Sequence, residues 1–512
     1  MQMGTWIKRS FFVCAVFAIT WVMFIAYWSG SNHMPDGGDV LLYLLVLPAC
    51  FLLAVWGIRK AKLSMASAAA AKTAAAAAQP AAATPAEPSH HPERLWTLAV
   101  AAGALRSPHG ADAAALLEKL QAHEAKLELD PELTDGQGFP VLTGRIADVD
   151  AQTTAAEFMA WRGQHASAEQ DDAYLPDEQQ RTLALAADVA RELGDRLMSH
   201  PFLDEYLQAQ RHQKDAVGLP QLHLLALLPA AWSGEARMQA AQWLAQLVTL
   251  QGWPAEKITV LPAIAGEPAH PLLHLDRLIA TSRDANTQQP SPYLATPYLA
   301  IVIAAQSNLG ADTVQDWERS KQLLSGSSPS GKSPGEAAAG FILADATQAI
   351  ALGAEDPVLL HRATLGRKNK SADEAGRVDG DLLTALAQAA LRDAAVPADA
   401  VALLVTDGDH RAGRTEEIMK LGYAALPEID LGSQCLKVGA ECGSAGAATV
   451  LAALALAHAA AERAGEPALC VSNDDAHERA AIVLTRKNSH PNPITTTAEH
   501  SPEATAAQAA TA

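Results

Sequence analysis

The sequence predicts an α/β fold of stacked layers behind a membrane anchor. From residue 93 onward, short apolar runs alternate with longer stretches whose apolar residues recur at helical spacing. Near the amino terminus, two uncharged apolar runs of about 19 residues stand close together. Each is close to the roughly 20 residues that a helix needs to cross a bilayer. These observations predict a two-span hairpin followed by one large body with a largely parallel sheet.

The anchor is predicted at residues 11–29 and 40–58, and the flanking charges give its orientation. Basic residues precede the first run and follow the second, whereas the loop between the runs carries only acidic charges. By the positive-inside rule, both ends and the body are expected to be cytoplasmic, with the short loop outside the inner membrane. A cleaved signal peptide is the alternative for the first run, but its apolar stretch is longer than signal peptides use.

Composition shifts divide the chain into five predicted segments. These are a two-span anchor over 1–62, an alanine- and proline-rich tether over 63–92, an amino-terminal α/β half over 93–294, a carboxy-terminal half over 295–488 and a disordered tail over 489–512. Strands are expected at 221–228, 257–261, 298–305, 337–345, 400–406, 467–472 and 480–485, and 95–105 is strand-like or a buried helix start. Helices are expected at 112–126, 179–212 with a break near 199–201, 235–248, 270–282, 381–394, 414–424 and 445–464.

Charge and cysteine usage exclude several classes of function. The net charge of −19 disfavours a nucleic-acid partner, because an acidic surface repels phosphate backbones. The five cysteines form no CxxC pair with histidines at zinc spacing, so no metal and no cofactor are expected. Their sparse pattern fits a reducing compartment without a disulfide framework.

Four segments of the second half resemble, in order, segments of the β-ketoacyl synthase branch of the thiolase-like superfamily. They are 307–343 with its PGEAAA core, 401–417, 438–457 and 468–486. The resemblance implies two similar βαβαβ halves packed as five layers, and it implies a homodimer. Ketosynthase chemistry in that family uses a cysteine nucleophile at a helix amino terminus, where the helix dipole lowers its pKa, together with two histidines.

Neither the cysteine nor the histidines are found where the resemblance places them. No cysteine occurs between Cys50 and Cys435, Asp407 stands at the first histidine position and Ala440 at the second. The loop over 473–479 is charged and bulky, and we expect it to fill the pocket. The resemblance therefore implies a pseudoenzyme without catalytic residues.

Three other features have a catalytic and a structural interpretation. Cys442 precedes a helix of small residues, where a thiolate would be stabilised, but a small buried residue in a close helix contact is the favoured interpretation. His410 lies in a polar cluster over 407–414, which is interpreted as a solvated turn in preference to an acid–base site. Residues 326–333 match the P-loop pattern by letter, but a proline and a glycine follow where a helix should begin.

The layout of anchor, tether and thiolase-like half resembles the type VI lipase adaptor family. That resemblance implies a membrane-anchored, non-catalytic adaptor that recruits a lipase effector to the spike protein of a type VI secretion system. Two alternatives remain at the inner membrane. One is a thiolase-like enzyme of acyl transfer or decarboxylation, and the other is a protein that binds acyl chains or acyl-carrier protein without catalysis.

Overall fold

A computed structural model describes residues 92–165, 175–212, 218–263, 270–287, 297–374 and 378–486 of the chain. The two predicted spans, nearly all of the tether and the predicted tail lie outside the described residues, so these predictions stay predictions. Among the described helices, one is long and apolar enough to span a bilayer, Ala447–Ala464, and 67% of its most apolar window is buried inside the body.

Strands and helices alternate along the described chain, and short 3-10 helices occur at Pro92–Leu95, Ala255–Lys257 and Ala398–Ala400. The strands are β1 (Leu98–Arg106), β2 (Glu128–Thr134), β3 (Pro140–Thr143), β4 (Leu222–Leu227), β5 (Ile258–Leu261), β6 (Leu299–Ser307), β7 (Glu336–Ala344), β8 (Val358–Leu360), β9 (Thr364–Arg367), β10 (Leu403–Thr406), β11 (Cys435–Lys437), β12 (Ala468–Ser472) and β13 (Glu478–Arg486). The helices are α1 (Ala113–Gln121), α2 (Ala151–His165), α3 (Asp177–Leu197), α4 (Leu203–Arg211), α5 (Gly234–Gln251), α6 (Pro271–Thr287), α7 (Ala311–Arg319), α8 (Ala346–Ala351), α9 (Asp381–Asp393), α10 (Ala412–Ala425), α11 (Val438–Cys442) and α12 (Ala447–Ala464).

Two sets of five strands share one spatial order. The first set runs β5-β4-β6-β7-β1 and the second runs β11-β10-β12-β13-β8. In both sets the first two neighbour pairs are parallel and the last two are antiparallel. An antiparallel pairing of β1 with β8 joins the sets into one sheet. The chain therefore contains two halves of matching topology, as the sequence predicts.

The sheet is mixed, so the prediction of a largely parallel sheet is wrong. The connection between β12 and β13 is only residues 473–477, which is too short for the crossover that a parallel pair needs. These two strands therefore pair as a hairpin. The longer connection from β6 to β7 also returns the chain antiparallel to its neighbour.

The strand order also places the change from one half to the other after β7. Both β6 and β7 pair within the first set, and β7 lies between β6 and β1. The first half therefore extends beyond the predicted boundary at 294/295. The segment with the family resemblance, from which that boundary was taken, includes the last two strands of the first half.

Three apolar clusters show how helices cover the two strand sets. One cluster packs α3 and α5 on the outer face of the first set, and another packs α9 and α10 on the outer face of the second. The third joins α12, α6 and α1 to strands of both sets. The order is therefore α–β–α–β–α, the five layers that the sequence predicts. The central position explains why α12 is apolar on nearly all sides.

Candidate functional site

A cleft of about 390 Å³ opens where the amino-terminal ends of α6 and α12 meet the carboxyl ends of parallel strands in both halves. In open α/β sheets, this edge is where ligands bind. The lining alternates apolar and charged side chains, among them Leu227, Leu228, Arg237, His270, His274, Gln306, Lys332, Asp407, Gly446, Val450, Ser472, Asp474, Asp475 and Glu478.

A chain of hydrogen bonds crosses the floor of this cleft. The Nδ1 atom of His270 accepts from the backbone N–H of Leu272 at 3.2 Å, which leaves the proton on Nε2. That Nε2 lies 2.8 Å from the Ser472 hydroxyl, and the hydroxyl donates to Asp407 at 2.5 Å. Two further donors, the backbone N–H groups of Asn473 and Asp474, bond to the other oxygen of Asp407.

This order of donors differs from that of a serine nucleophile site. A catalytic histidine takes the proton of the serine and is itself oriented by the carboxylate. Here the serine stands between the other two groups, because Ser472 donates directly to Asp407 and accepts from His270. Burial lowers the pKa of His270 to about 4, so its imidazole is neutral at physiological pH. The arrangement fixes side chains and provides no activated nucleophile.

Burial also sets the protonation of the carboxylates in the cleft. It raises the pKa of Asp407 to about 6, and the charge of neighbouring Asp474 adds to the rise. The pKa of Asp474 itself is lowered: its own burial acts to raise it, but the cations Lys332, Arg411 and Arg414 outweigh that effect. Asp474 therefore carries the charge, whereas Asp407 titrates within the range of mildly acidic compartments.

Comparisons with known proteins bear on the fold. No protein-family model matches the chain, and no curated protein matches it in sequence. Among solved structures, a cysteine-to-serine variant of the ketosynthase from module 6 of the bacillaene synthase of Bacillus subtilis 168 matches with a TM-score of 0.50 and 10% identity, over 77% of this chain and 73% of that one. The ishigamide ketosynthase/chain length factor matches with a TM-score of 0.47 and 20% identity, over 76% and 99%. The chain has the mixed α/β fold of ketosynthase domains. The likeness to the type VI lipase adaptor family stays a prediction.

The ketosynthase fold makes the positions of the cysteines informative. Cys442 ends the short helix α11 and is 3% exposed. Its carbonyl oxygen is so close to Gly144 that a Cβ there would lie 1.8 Å away, and Gly335 lies against the same oxygen. Burial raises the pKa of the Cys442 thiol to about 12. Cys442 is thus a small buried residue, as expected, but its close backbone contacts are with the strand-end residues Gly144 and Gly335 and not with another helix.

The two positions where the family resemblance places histidines differ in location. Asp407 lines the cleft, whereas Ala440 is absent from its lining. His410, the candidate histidine of an acid–base site, is exposed and does not line the cleft either. Of the four residues that the sequence singles out, the cleft therefore contains only Asp407.

The polar cluster around His410 is buried, so the prediction of a solvated turn is wrong for the rest of the cluster. Asp409 is 2% exposed and Arg414 is 1% exposed. Arg411 bonds to Asp409 at 2.7 Å and to Asp474 in the loop over 473–479, the closing loop. The cluster is buried because that loop, which is distant in sequence, folds over it.

The closing loop fills the pocket only in part. Arg479 is fully buried, does not line the cleft and bonds with Glu417 at 2.6 Å. The P-loop-like segment lies between the end of α7 and the start of β7. This helix–loop–strand order is the reverse of the strand–loop–helix order that phosphate binding needs. Its Lys332 faces Asp474 at 3.4 Å.

Sequence reasoning missed most of the cleft. His270 enters the sequence analysis only as the first residue of the helix expected at 270–282, with no functional role, and it directly precedes α6. Arg237 and His274 gave no motif, because their helices α5 and α6 are brought to the cleft by tertiary packing alone. Within the described residues, no group of three or more His, Cys, Asp or Glu side chains is placed to hold a metal ion.

Proposed function

We propose that this chain is a ketosynthase-fold protein that binds its partner and does not condense acyl chains. The observation that carries the proposal is the lack of a thiol among the described residues that line the cleft. The thiols of the described residues are Cys435, Cys442 and Cys470, and burial raises the pKa of each. Since the thiolate is the nucleophile in condensation, none of them is suited to form an acyl-enzyme.

A thiol-trapping experiment tests the absence of condensing chemistry. The chain with Cys14→Ser and Cys50→Ser is incubated with a cerulenin-type probe or a chloroacetylated acyl-carrier analogue, and the labelled residue is identified by mass spectrometry. The expected result is no labelling of the folded protein and labelling of all three remaining thiols after unfolding. Rapid labelling of Cys442 in the folded protein would overturn the proposal.

The partner that we propose is a lipase effector, which the adaptor recruits to a type VI spike protein at the inner membrane. Support comes from the two apolar runs and the tether in the sequence. It also comes from the described lining of the cleft, which contains no cysteine for condensation. A tether raises the effective concentration of a bound cargo near machinery on the same membrane. On this proposal, location is part of the function.

Separating cargo binding from location tests the adaptor proposal. The chain without residues 1–62 is compared with the full chain for binding of the purified lipase effector from the same secretion gene cluster, and for delivery of that effector from cells. Binding is expected to be unchanged, whereas delivery is expected to weaken. Failure of both the full chain and the folded body to bind the lipase would exclude this partner.

A second candidate, an acyl-chain or acyl-carrier binder, is favoured by the cleft itself. The cleft has about 390 Å³ of volume, and Leu227, Leu228 and Val450 give part of its lining an apolar surface. Native mass spectrometry of the purified chain would reveal a retained ligand. A ligand that stays bound while the lipase effector fails to bind would favour this second candidate over the adaptor.

A further inference from the structure

Two nitrogen-bearing side chains in the cleft have no hydrogen-bond partner among the residues that the structure describes. Arg237, on α5, forms no hydrogen bond or ion pair with any described residue, and its Nε is buried without an acceptor. His274, one turn after His270 on α6, is 7% exposed and makes no hydrogen bond to any described residue. A buried donor without an acceptor costs free energy, so the Nε of Arg237 indicates a missing acceptor in the cleft.

The carboxylates of the cleft are already engaged and do not supply that acceptor. Asp407 accepts from Ser472 and from two backbone amides. Asp474 is paired with Lys332 and Arg411.

The remaining two acidic residues are engaged in the same way. Asp475 accepts from the backbone N–H groups of two following residues, and Glu478 pairs with Arg367. Of the two cations that line the cleft, Lys332 pairs with Asp474, and Arg237 has no carboxylate beside it among the described residues.

The amino-terminal end of α12 adds a further donor surface. This helix has 18 residues and follows Gly446, which has no side chain to cap its first amides. Both Gly446 and Ala447 line the cleft. The amides of Ala448 and Thr449 already donate to the carbonyls of Ala445 and Gly446, so what favours an anion at this end is the helix dipole together with the first amide, that of Ala447.

We propose that the cleft binds a small organic carboxylate as the free acid. Its anionic end would be held by Arg237, His274 and the first turn of α12, and its apolar body would lie against Leu227, Leu228 and Val450. An arginine fork matches a carboxylate in a bidentate manner, and the neutral imidazole of His274 supplies one further N–H donor. This inference deepens the binding function proposed above and involves no covalent step.

The test measures binding of hexanoate to the full chain in nanodiscs by titration calorimetry, with empty nanodiscs as the blank. Hexanamide has nearly the same shape without the charge, and inorganic phosphate has charge without the apolar body. Hexanoate is expected to bind at least about tenfold more tightly than either, because a charge-assisted hydrogen bond is lost in one case and apolar burial in the other. Equal binding of hexanamide, or equal binding of phosphate, would overturn the proposal.

Matched variants assign the binding to the site. Arg237→Gln is expected to weaken hexanoate binding about tenfold or more, and Arg237→Lys less, since the lysine keeps the charge but loses the fork. Arg319→Gln, at a side chain 67% exposed on α7, is the control and should leave binding unchanged. Unaltered binding in Arg237→Gln with an unaltered melting temperature would overturn the assignment.

Failure of this inference and failure of the adaptor proposal give different results. Binding of the lipase effector to Arg237→Gln is measured in parallel with hexanoate binding. Loss of hexanoate binding with intact lipase binding would support the carboxylate site and leave the adaptor role untouched. Hexanoate binding by a chain that binds no lipase would contradict the adaptor role alone.

Discussion

The two halves of the molecule have the same strand order but stabilise buried charge in different ways. In the first half, Glu336 at the start of β7 is fully buried and pairs with Arg181 of α3 through both of its oxygens. Two further donors, the Ile146 amide and the Ser307 hydroxyl, complete the hydrogen bonds of the carboxylate. This is a closed unit in which one cation meets one anion.

The second half has a comparable buried pair, Arg479 with Glu417, but it also contains an open network without such one-to-one pairing. Arg411 and Arg414 lie side by side and share the acceptors Asp373 and Asp474. One nitrogen of Arg414, Nη1, is buried without a partner. The difference teaches that the strand pairing fixes the fold, while residues just beyond the strand ends are free to diverge. The cleft is built from such residues.

The largest expected effect comes from removing the cation of the closed pair. Arg181→Met leaves the Glu336 carboxylate buried with two neutral donors and no counter-charge, which should lower the free energy of unfolding by about 3–5 kcal/mol. Urea unfolding followed by circular dichroism measures this loss. Adding Glu336→Gln to the variant should recover part of the stability, because the unpaired charge is removed. A loss below about 1 kcal/mol in the single variant would show that the pair is dispensable.

A smaller effect is expected at Asp407, and it depends on pH. Because the folded protein raises the pKa of this carboxyl to about 6, the folded state binds its proton more tightly than the unfolded chain does. The contribution of Asp407 to stability is therefore present below about pH 4 and is lost as the pH rises to 6. Asp407→Asn removes this loss, so its stability relative to the parent should rise by roughly 1–3 kcal/mol between pH 4 and pH 7.

Two histidines act in the opposite direction over the same range. Burial lowers the pKa of His270 and of His274 to about 4, so their contribution to stability grows as the pH rises from 4 to about 6.5. These groups are present in both proteins, and the difference between the Asp407→Asn variant and its parent cancels most of their effect. Thermal unfolding at pH 4, 5, 6 and 7 gives that difference. A constant difference across the series would contradict the raised pKa.

Comparison of sequence with structure shows which features can be predicted locally. The apolar runs behind β6, β7 and α12 are continuous and buried, and the sequence locates each within about two residues. The break near 199–201 separates α3 from α4 as predicted. The sequence does not predict strands β2, β3, β8, β9 and β11, because β2 is largely exposed and the other four have only three or four residues each.

The cleft was harder to predict than the fold for a physical reason. Its charged residues come from helices and loops far apart in sequence, and their roles depend on which partner each finds after folding. Asp407 was found through a family resemblance to one segment. By contrast, the lack of a partner for Arg237 is a property of the packed structure, and no pattern of residues around position 237 indicates it.

The smallest expected effect repeats the arginine-to-methionine change in the open network. Arg414→Met removes a cation whose pKa burial and neighbouring Arg411 both lower. Its acceptors keep a donor, since Arg411 still bonds to Asp373 at 2.9 Å and to the Asp474 carbonyl at 2.9 Å. Replacing a buried charge by an apolar side chain of similar length is often close to neutral, so the change in unfolding free energy should stay within about 1 kcal/mol. A loss of unfolding free energy as large as that of Arg181→Met would mean that the network depends on Arg414 as strongly as the pair depends on Arg181. The contrast between the two sites would then fail.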